Sequence, residues 1–213
     1  MSNQHVEQLA RLLRQNPESD GLGFSVAQAS LLLDYYQLVL KWNPRLHLTT
    51  LTSAESFFQR HLLEARFLAN HLAIAVSSIW DLGTGLGVPG IPLAILRPDL
   101  PVTLVEASRK KTIFLEEVAV NLKLANVKVL AQRIETLAPL PENSCVVARA
   151  VEQMVQIVPA IVTLSQRASQ ICLLGGQELE AELRRNVQSR FVVTNILLPE
   201  SQNRFLLSAN RST

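Results

Sequence analysis

Ile79-Trp80-Asp81-Leu82-Gly83-Thr84-Gly85-Leu86-Gly87-Val88-Pro89-Gly90 reads as a short apolar strand that runs into a glycine-rich turn and then a helix. Glycines recur where the backbone must pass through positive φ and where a ligand must come within contact distance. In an open α/β sheet, such a turn at the C-terminal end of a strand is where nucleotides bind. Asp81, two residues before the first glycine, adds a carboxylate at the strand tip. A carboxylate in that place suits a ligand that carries an ammonium, as S-adenosylmethionine does. The expected contacts are Asp81 and the turn residues Thr84, Gly85 and Gly87.

The same residues satisfy a rival motif. Gly85, Gly87 and Gly90 fit the dinucleotide fingerprint G-x-G-x-x-G, with Glu106 placed to bind a ribose. A dinucleotide site holds its pyrophosphate at the helix N-terminus, and the charge of Asp81 would repel that anion. The methyl-donor reading is therefore favoured. Pro89 is neutral, because proline is tolerated in a first helical turn.

The rest of the chain sets the frame for this turn. Its 213 residues suffice for one α/β domain with a helical extension. A hydrophobic content of 48% supplies a core, and 18% charged residues argue against disorder. No stretch approaches the roughly 20 apolar residues that span a bilayer, and residues 1–20 lack an apolar signal core. Cys145 and Cys172 lie in apolar runs, which suits buried thiols in a reducing compartment. The expectation is a cytoplasmic protein with no membrane association. A net charge of +2 excludes a global field for nucleic acid, so any such surface is a local patch.

Val6, Leu9, Leu12 and Leu13 fall on one face of a first helix, and Val26 through Leu40 form a second that ends near Asn43-Pro44. A third helical segment is expected from about Ala54 to Ala73. From Ser77 the pattern alternates. Strands are expected at 78–82, 101–106, 127–131, 144–149, 170–174, 190–197 and 203–209, and helices at 89–97, 109–124, 151–165 and 177–188. Strands separated by such helices imply βαβ crossovers. The last two strands, joined by a short polar link, read as an antiparallel pair at one side. The predicted fold is α/β: a doubly wound, mainly parallel seven-stranded sheet (residues 77–213) with an N-terminal helical extension (residues 1–76). Tyr35, Tyr36 and Trp42 are expected to pack in the core.

Several side chains at strand tips carry possible chemistry. Glu106 ends the apolar run Val102-Thr103-Leu104-Val105, where a carboxylate accepts hydrogen bonds from ribose hydroxyls. Ser108 is the expected N-cap of the next helix. Arg109, Lys110 and Lys111 follow it and oppose the helix dipole, each at about 0.3–1 kcal/mol. That cost fits either a solvated surface or charge presented to phosphates. Ile134 and Glu135 follow the third strand, in the loop that borders a bound base. Arg149 follows the fourth and points to the cleft mouth. No Walker lysine, zinc-binding spacing or nucleophile elbow is present, so no metal is expected.

The block from Asp81 through Ile95 resembles the signature of the bacterial 16S rRNA guanine-N7 methyltransferases (glucose-inhibited division protein B, small-subunit rRNA methyltransferase G). Lys41-Trp42-Asn43 with Leu48-Thr49, Arg60-His61-Leu62-Leu63, Arg109 through Leu115, Gln132-Arg133-Ile134-Glu135 and Val147-Ala148-Arg149-Ala150 fall in that family's order. The resemblance implies a donor site at Gly83, Val88, Ile134, Glu135 and Arg149, with S-adenosylmethionine as cofactor. The implied substrate is a guanine in the decoding-region loop of 16S rRNA, within the small ribosomal subunit or its precursor. The implied enzyme is a monomer, with Arg60, His61, Arg109, Lys110 and Lys111 as candidate RNA contacts. Guanine N7 carries a lone pair and no proton, so alignment supplies much of the catalysis and no catalytic base is assigned.

Three departures from the family pattern are visible. Arg60-His61 is followed by Glu64-Ala65 in place of Asp-Ser, His47 replaces an asparagine, and Leu173-Leu174-Gly175-Gly176 lacks a lysine. They fall on positions that can touch RNA and leave the donor side intact. The alternatives are a methyltransferase of this fold acting on a small molecule or protein, a donor-binding relative with weakened RNA activity, and a dinucleotide oxidoreductase.

Overall fold

The computed structural model describes residues 2–17, 21–149 and 154–212. An N-terminal group of helices comprises α1 (Ser2–Gln15), α2 (Val26–Leu46), α3 (Ala54–Phe57) and α4 (Glu64–Asn70). Alternation follows: β1 (Ser78–Leu82), α5 (Gly90–Leu96), β2 (Val102–Glu106), α6 (Arg109–Asn121), β3 (Val127–Ala131), β4 (Ser144–Arg149), α7 (Met154–Leu164), β5 (Gln170–Gly175) and α8 (Gln177–Val187). β6 (Phe191–Leu197) and β7 (Phe205–Arg211) end the chain. The start of the helix expected at 151 lies outside the described residues.

The strands form one sheet in the order β3-β2-β1-β4-β5-β7-β6. β1 to β5 pair in parallel, and β7 runs antiparallel to both β5 and β6. This is the doubly wound sheet with a terminal hairpin that the alternation predicts. β1 pairs with β2 on one side and β4 on the other, so the crossovers diverge there. A crevice opens above the strand tips at that switch point, the usual ligand position in such sheets.

Burial follows from strand position. β2 and β4 are buried along their whole length, which suits their mainly apolar sequences. β3 and β6, at the edges, are half exposed. α5 is buried on every side, so it carries apolar residues all round instead of one stripe. One face of the sheet packs Ile91 and Phe114 into a core shared with Leu9, Leu32, Tyr36 and Phe57 of the N-terminal helices. The other face packs Ile161, Leu173 and Leu183. Cys145 and Cys172 are buried free thiols on β4 and β5.

The N-terminal helices depart from expectation in two places. α2 continues through Pro44 to Leu46 and stops at His47, which adopts the left-handed conformation at φ 47°. Proline in the last turn removes one ladder hydrogen bond without breaking the helix body. The helix expected from 54 to 73 is not continuous: a π-helical stretch, Phe58–Leu63, separates α3 from α4. Such stretches frequently mark functional sites, and this one carries Arg60 and His61.

Buried Gln170 fastens the helical part to the sheet. Its Nε2 donates to the His71 carbonyl at 2.9 Å and to Ser208 Oγ at 3.0 Å, and its Oε1 accepts from Ala73 N at 2.9 Å.

Candidate functional site

The glycine turn after β1 runs through positive φ at Gly83 (67°), Gly85 (59°) and Gly87 (100°). Gly87 and Gly85 do different work. A Cβ on Gly87 would meet Ile91 and Leu115 at 2.7 and 2.9 Å, so close packing requires its absence. At Gly85 the nearest such neighbour is the Gly83 carbonyl at 3.9 Å, and the space in front is open. Tyr35 of α2, fully buried, donates its hydroxyl to the Leu86 carbonyl at 2.7 Å and braces the turn. Tyr36 donates to the Thr52 carbonyl at 2.6 Å. Both tyrosines are core residues, as expected, yet each also fixes a loop.

A cavity of about 890 Å³ opens above the turn. Gly83, Thr84, Gly85 and Val88 form its floor, Glu106 and Lys111 one side, and Ile134 and Glu135 another. Arg60, His61 and Arg149 close the far side, and residues 47–51 of the helical extension overhang it. Asn43 holds that overhang: its Nδ2 donates to the Thr49 carbonyl and its Oδ1 accepts from Thr49 N, each at 2.9 Å.

Glu106 occupies its predicted place. Its Oε2 accepts from Gly85 N at 3.0 Å and its Oε1 from Ser108 N at 2.7 Å. Each oxygen keeps lone pairs for a ligand hydroxyl. Ser108 is the N-cap residue of α6 but its hydroxyl caps nothing; its backbone N–H is satisfied by Glu106 instead. Ile134 and Glu135 sit on a single 3₁₀ turn, Ile134–Thr136, with the isoleucine buried and the glutamate exposed.

Asp81 differs from expectation. It is fully buried and does not line the cavity, so the direct grip on an ammonium foreseen from the sequence is not available. Its Oδ2 instead accepts from Thr84 Oγ1 at 2.5 Å and Gly90 N at 2.8 Å, which ties the two ends of the turn together. Gly90 must be glycine for this, since a Cβ there would lie 2.7 Å from Oδ2. Oδ1 is buried without a partner. Burial pushes the carboxyl up to about 7, against the pull of the Thr84 and Gly90 hydrogen bonds. Asp81 therefore acts on the cavity through turn geometry. Gly87 likewise packs behind the wall.

The far side is built around one carboxylate. Glu64, almost completely buried, receives Arg60 Nε at 3.2 Å and Arg204 Nη1 on the same oxygen, Oε1. Arg149 Nε lies 3.4 Å from Oε2, close enough for an ion pair although not aligned for a hydrogen bond. Arg149 Nη1 donates to His61 Nδ1, and His61 Nε2 lies 3.4 Å from Thr49 Oγ1. Burial, then the charges of Arg149 and Arg60, hold His61 well below the usual imidazole range, so it is neutral at pH 7. Burial lowers Arg149 to about 10, with Glu64 opposing and Arg204 and Arg60 adding to the fall. His61 lines the cavity while both of its ring nitrogens face partners inside the protein, Arg149 and Thr49. Glu64 and Arg204 were not foreseen as site residues. Their separation by 140 positions leaves no local pattern, and only the departure at Glu64 drew notice to that position.

The basic run at the start of α6 divides. Lys111 reaches the cavity, whereas Arg109 and Lys110 are exposed outside it. At the other departures, His47 lines the cavity rim and Leu174 is buried in the core.

A model of the rRNA small subunit methyltransferase G family matches residues 28–200. The chain is 39% identical over 131 residues to a ribosomal RNA small subunit methyltransferase G of Nitrosomonas eutropha, covering 61% of this chain and 60% of that protein. It is 38% identical over 168 residues to the protein of the same name from Sorangium cellulosum, covering 76% and 70%. Among solved structures, a SAM-dependent methyltransferase from Aquifex aeolicus superposes with a TM-score of 0.57 at 14% identity, over 74% of this chain and 93% of that one. That likeness concerns the fold. The glycine turn, the cavity above it and the match along most of the chain agree: this protein belongs to the rRNA small subunit methyltransferase G family.

Proposed function

We propose that this protein transfers a methyl group from S-adenosylmethionine to N7 of a guanine in the decoding-region loop of 16S rRNA. The observation that carries the proposal is the cavity above the glycine turn, together with membership of the family. The residues present fit the donor. Gly85 faces open space that any side chain would fill, and Glu106 keeps acceptor capacity for ribose hydroxyls. Asp81, buried behind the turn with one oxygen unpartnered, holds the turn in the shape that leaves the space in front of Gly85 open. Gly83, Thr84, Gly85, Val88, Glu106, Ile134, Glu135 and Arg149 would hold the donor, and Asp81 and Gly87 would shape its seat. Bound there, S-adenosylmethionine supplies an electrophilic methyl group on sulfur.

The chain's own task is to bind, align and exclude water. Guanine N7 offers a lone pair in the ring plane with no proton to remove, so no general base is required, and none of the cavity residues needs that role. Positioning two reactants at near-attack distance is the main source of rate. Arg149, held between Glu64 and His61, is a fixed cation whose remaining N–H groups can orient an oxygen of the ligand in the cavity. The RNA is taken up as part of the small subunit or its precursor by a monomeric, cytoplasmic enzyme. Incubation of purified protein with labelled donor and small subunits, followed by mass mapping of the 16S rRNA, tests the proposal. N7-methylguanosine in the decoding region is the expected product. Donor binding without methyl transfer to RNA would refute it.

A further inference from the structure

A second cavity, of about 590 Å³, lies behind the first and shares Arg60 with it. Its walls are Arg60 and Arg204 on one side, the first turn of α8 (Gly176, Gln177, Glu178) on another, and Leu174 and Leu179 beneath. None of this was assigned to donor binding.

The charge of the shared wall does not balance. Arg60, Arg149 and Arg204 surround the single carboxylate of Glu64, which leaves two positive charges in excess. Arg149 is buried among them, and burial of uncompensated charge is costly. Among the described residues, Arg60 donates only through Nε and Arg204 only through Nη1 of its guanidinium. Each retains donors in a planar fork, the geometry that matches phosphate. Gly176, the N-cap of α8, lines the cavity without a side-chain cap, while Glu178 and Glu180 in the first turn offset the positive end of that helix. Glu178 is the single acid among the described lining residues, and it is exposed at the rim.

We infer that this second cavity receives the nucleotide next to the target guanine, its phosphodiester on Arg60 and Arg204 and its apolar surface on Leu174 and Leu179. The inference rests on the RNA methyltransferase reading above. Glu64 is then a positioning residue: it orients both guanidiniums while leaving their charge in surplus.

The test uses the full chain with 16S rRNA transcribed in vitro, and measures RNA affinity at several salt concentrations, donor affinity by calorimetry, and thermal melting. Arg204→Gln should bind RNA about tenfold more weakly, the worth of one charge-assisted hydrogen bond. Its slope of log affinity against log salt should fall by about 0.7–0.9 for one lost phosphate contact. Donor affinity should stay unchanged. Glu178→Gln should tighten RNA binding about two- to threefold by removing a repelling rim charge, and it decides the matter if Arg204→Gln fails to fold. RNA affinity and salt slope unchanged in a folded Arg204→Gln protein overturn the inference, as does unchanged affinity in Glu178→Gln. Those results leave the methyltransferase reading standing if the unaltered protein still methylates the RNA. Failure of the unaltered protein to methylate small subunits as well as the transcript removes both.

Discussion

Asp81 shows how burial can turn a strand-tip carboxylate toward its own backbone. A carboxylate at a strand tip before a glycine turn signals a cationic ligand nearby, but its burial and its bonds to Thr84 and Gly90 make it a clasp. Asp81→Asn keeps an acceptor for both donors and should fold, whereas Asp81→Ala leaves a buried N–H unpaired and should cost at least about 2 kcal/mol. The pH dependence has a definite sign. With its carboxyl raised to about 7, native Asp81 holds a proton that the unfolded chain has released. Its contribution is complete below the ordinary aspartate value and is lost as pH rises through about 7. The melting temperature of the unaltered protein minus that of Asp81→Asn should therefore shrink from pH 5 to pH 8. Gly85→Asp puts a charged side chain into the open space of the turn, at a φ of 59° that costs an L-residue about 1–2 kcal/mol. Donor binding should be lost in calorimetry. Unchanged affinity would contradict the placement of the donor.

The elements around the cavity are tied by bonds that cross long stretches of sequence. Tyr35 joins α2 to the glycine turn, 51 residues away. Tyr35→Phe should cost about 1 kcal/mol and weaken donor binding, with the mature fold preserved by circular dichroism. Gln170 joins α4's trailing segment to β5 and β7. The π-helical stretch re-aims Arg60 and His61, which a regular helix over 54–73 would present differently. Apolar spacing alone could not reveal it, because Phe57, Phe58, Leu62, Leu63 and Leu68 are buried on more than one helical face.

Across the whole molecule, the Glu64 cluster links the helical extension through Arg60, the sheet through Arg149 and the terminal hairpin through Arg204. Glu64→Ala should destabilise the protein by about 3–5 kcal/mol in denaturant titration, because it strands buried positive charge. His61 adds a pH dependence opposite in sign to that of Asp81. Its imidazole is held neutral in the folded state, so below about pH 6.5 the unfolded chain binds the extra proton and stability falls with acidification. His61→Gln should flatten that acid limb of the melting curve.

Local patterns carried much of this protein. The alternation after Ser77 contains the sheet and its hairpin, since strand and helix periods are properties of neighbouring residues. The turn from Gly83 to Gly90 lines the cavity in part, and its glycines were legible because positive φ and close approach demand glycine. Glu106, Ile134 and Arg149 follow because strand tips in a parallel sheet converge on one edge. Long-range folding decided the rest: the enclosure of Asp81, the brace from Tyr35, and the meeting of Glu64 with Arg204. Those contacts join residues far apart in the chain, and nothing within a few positions of either partner encodes them.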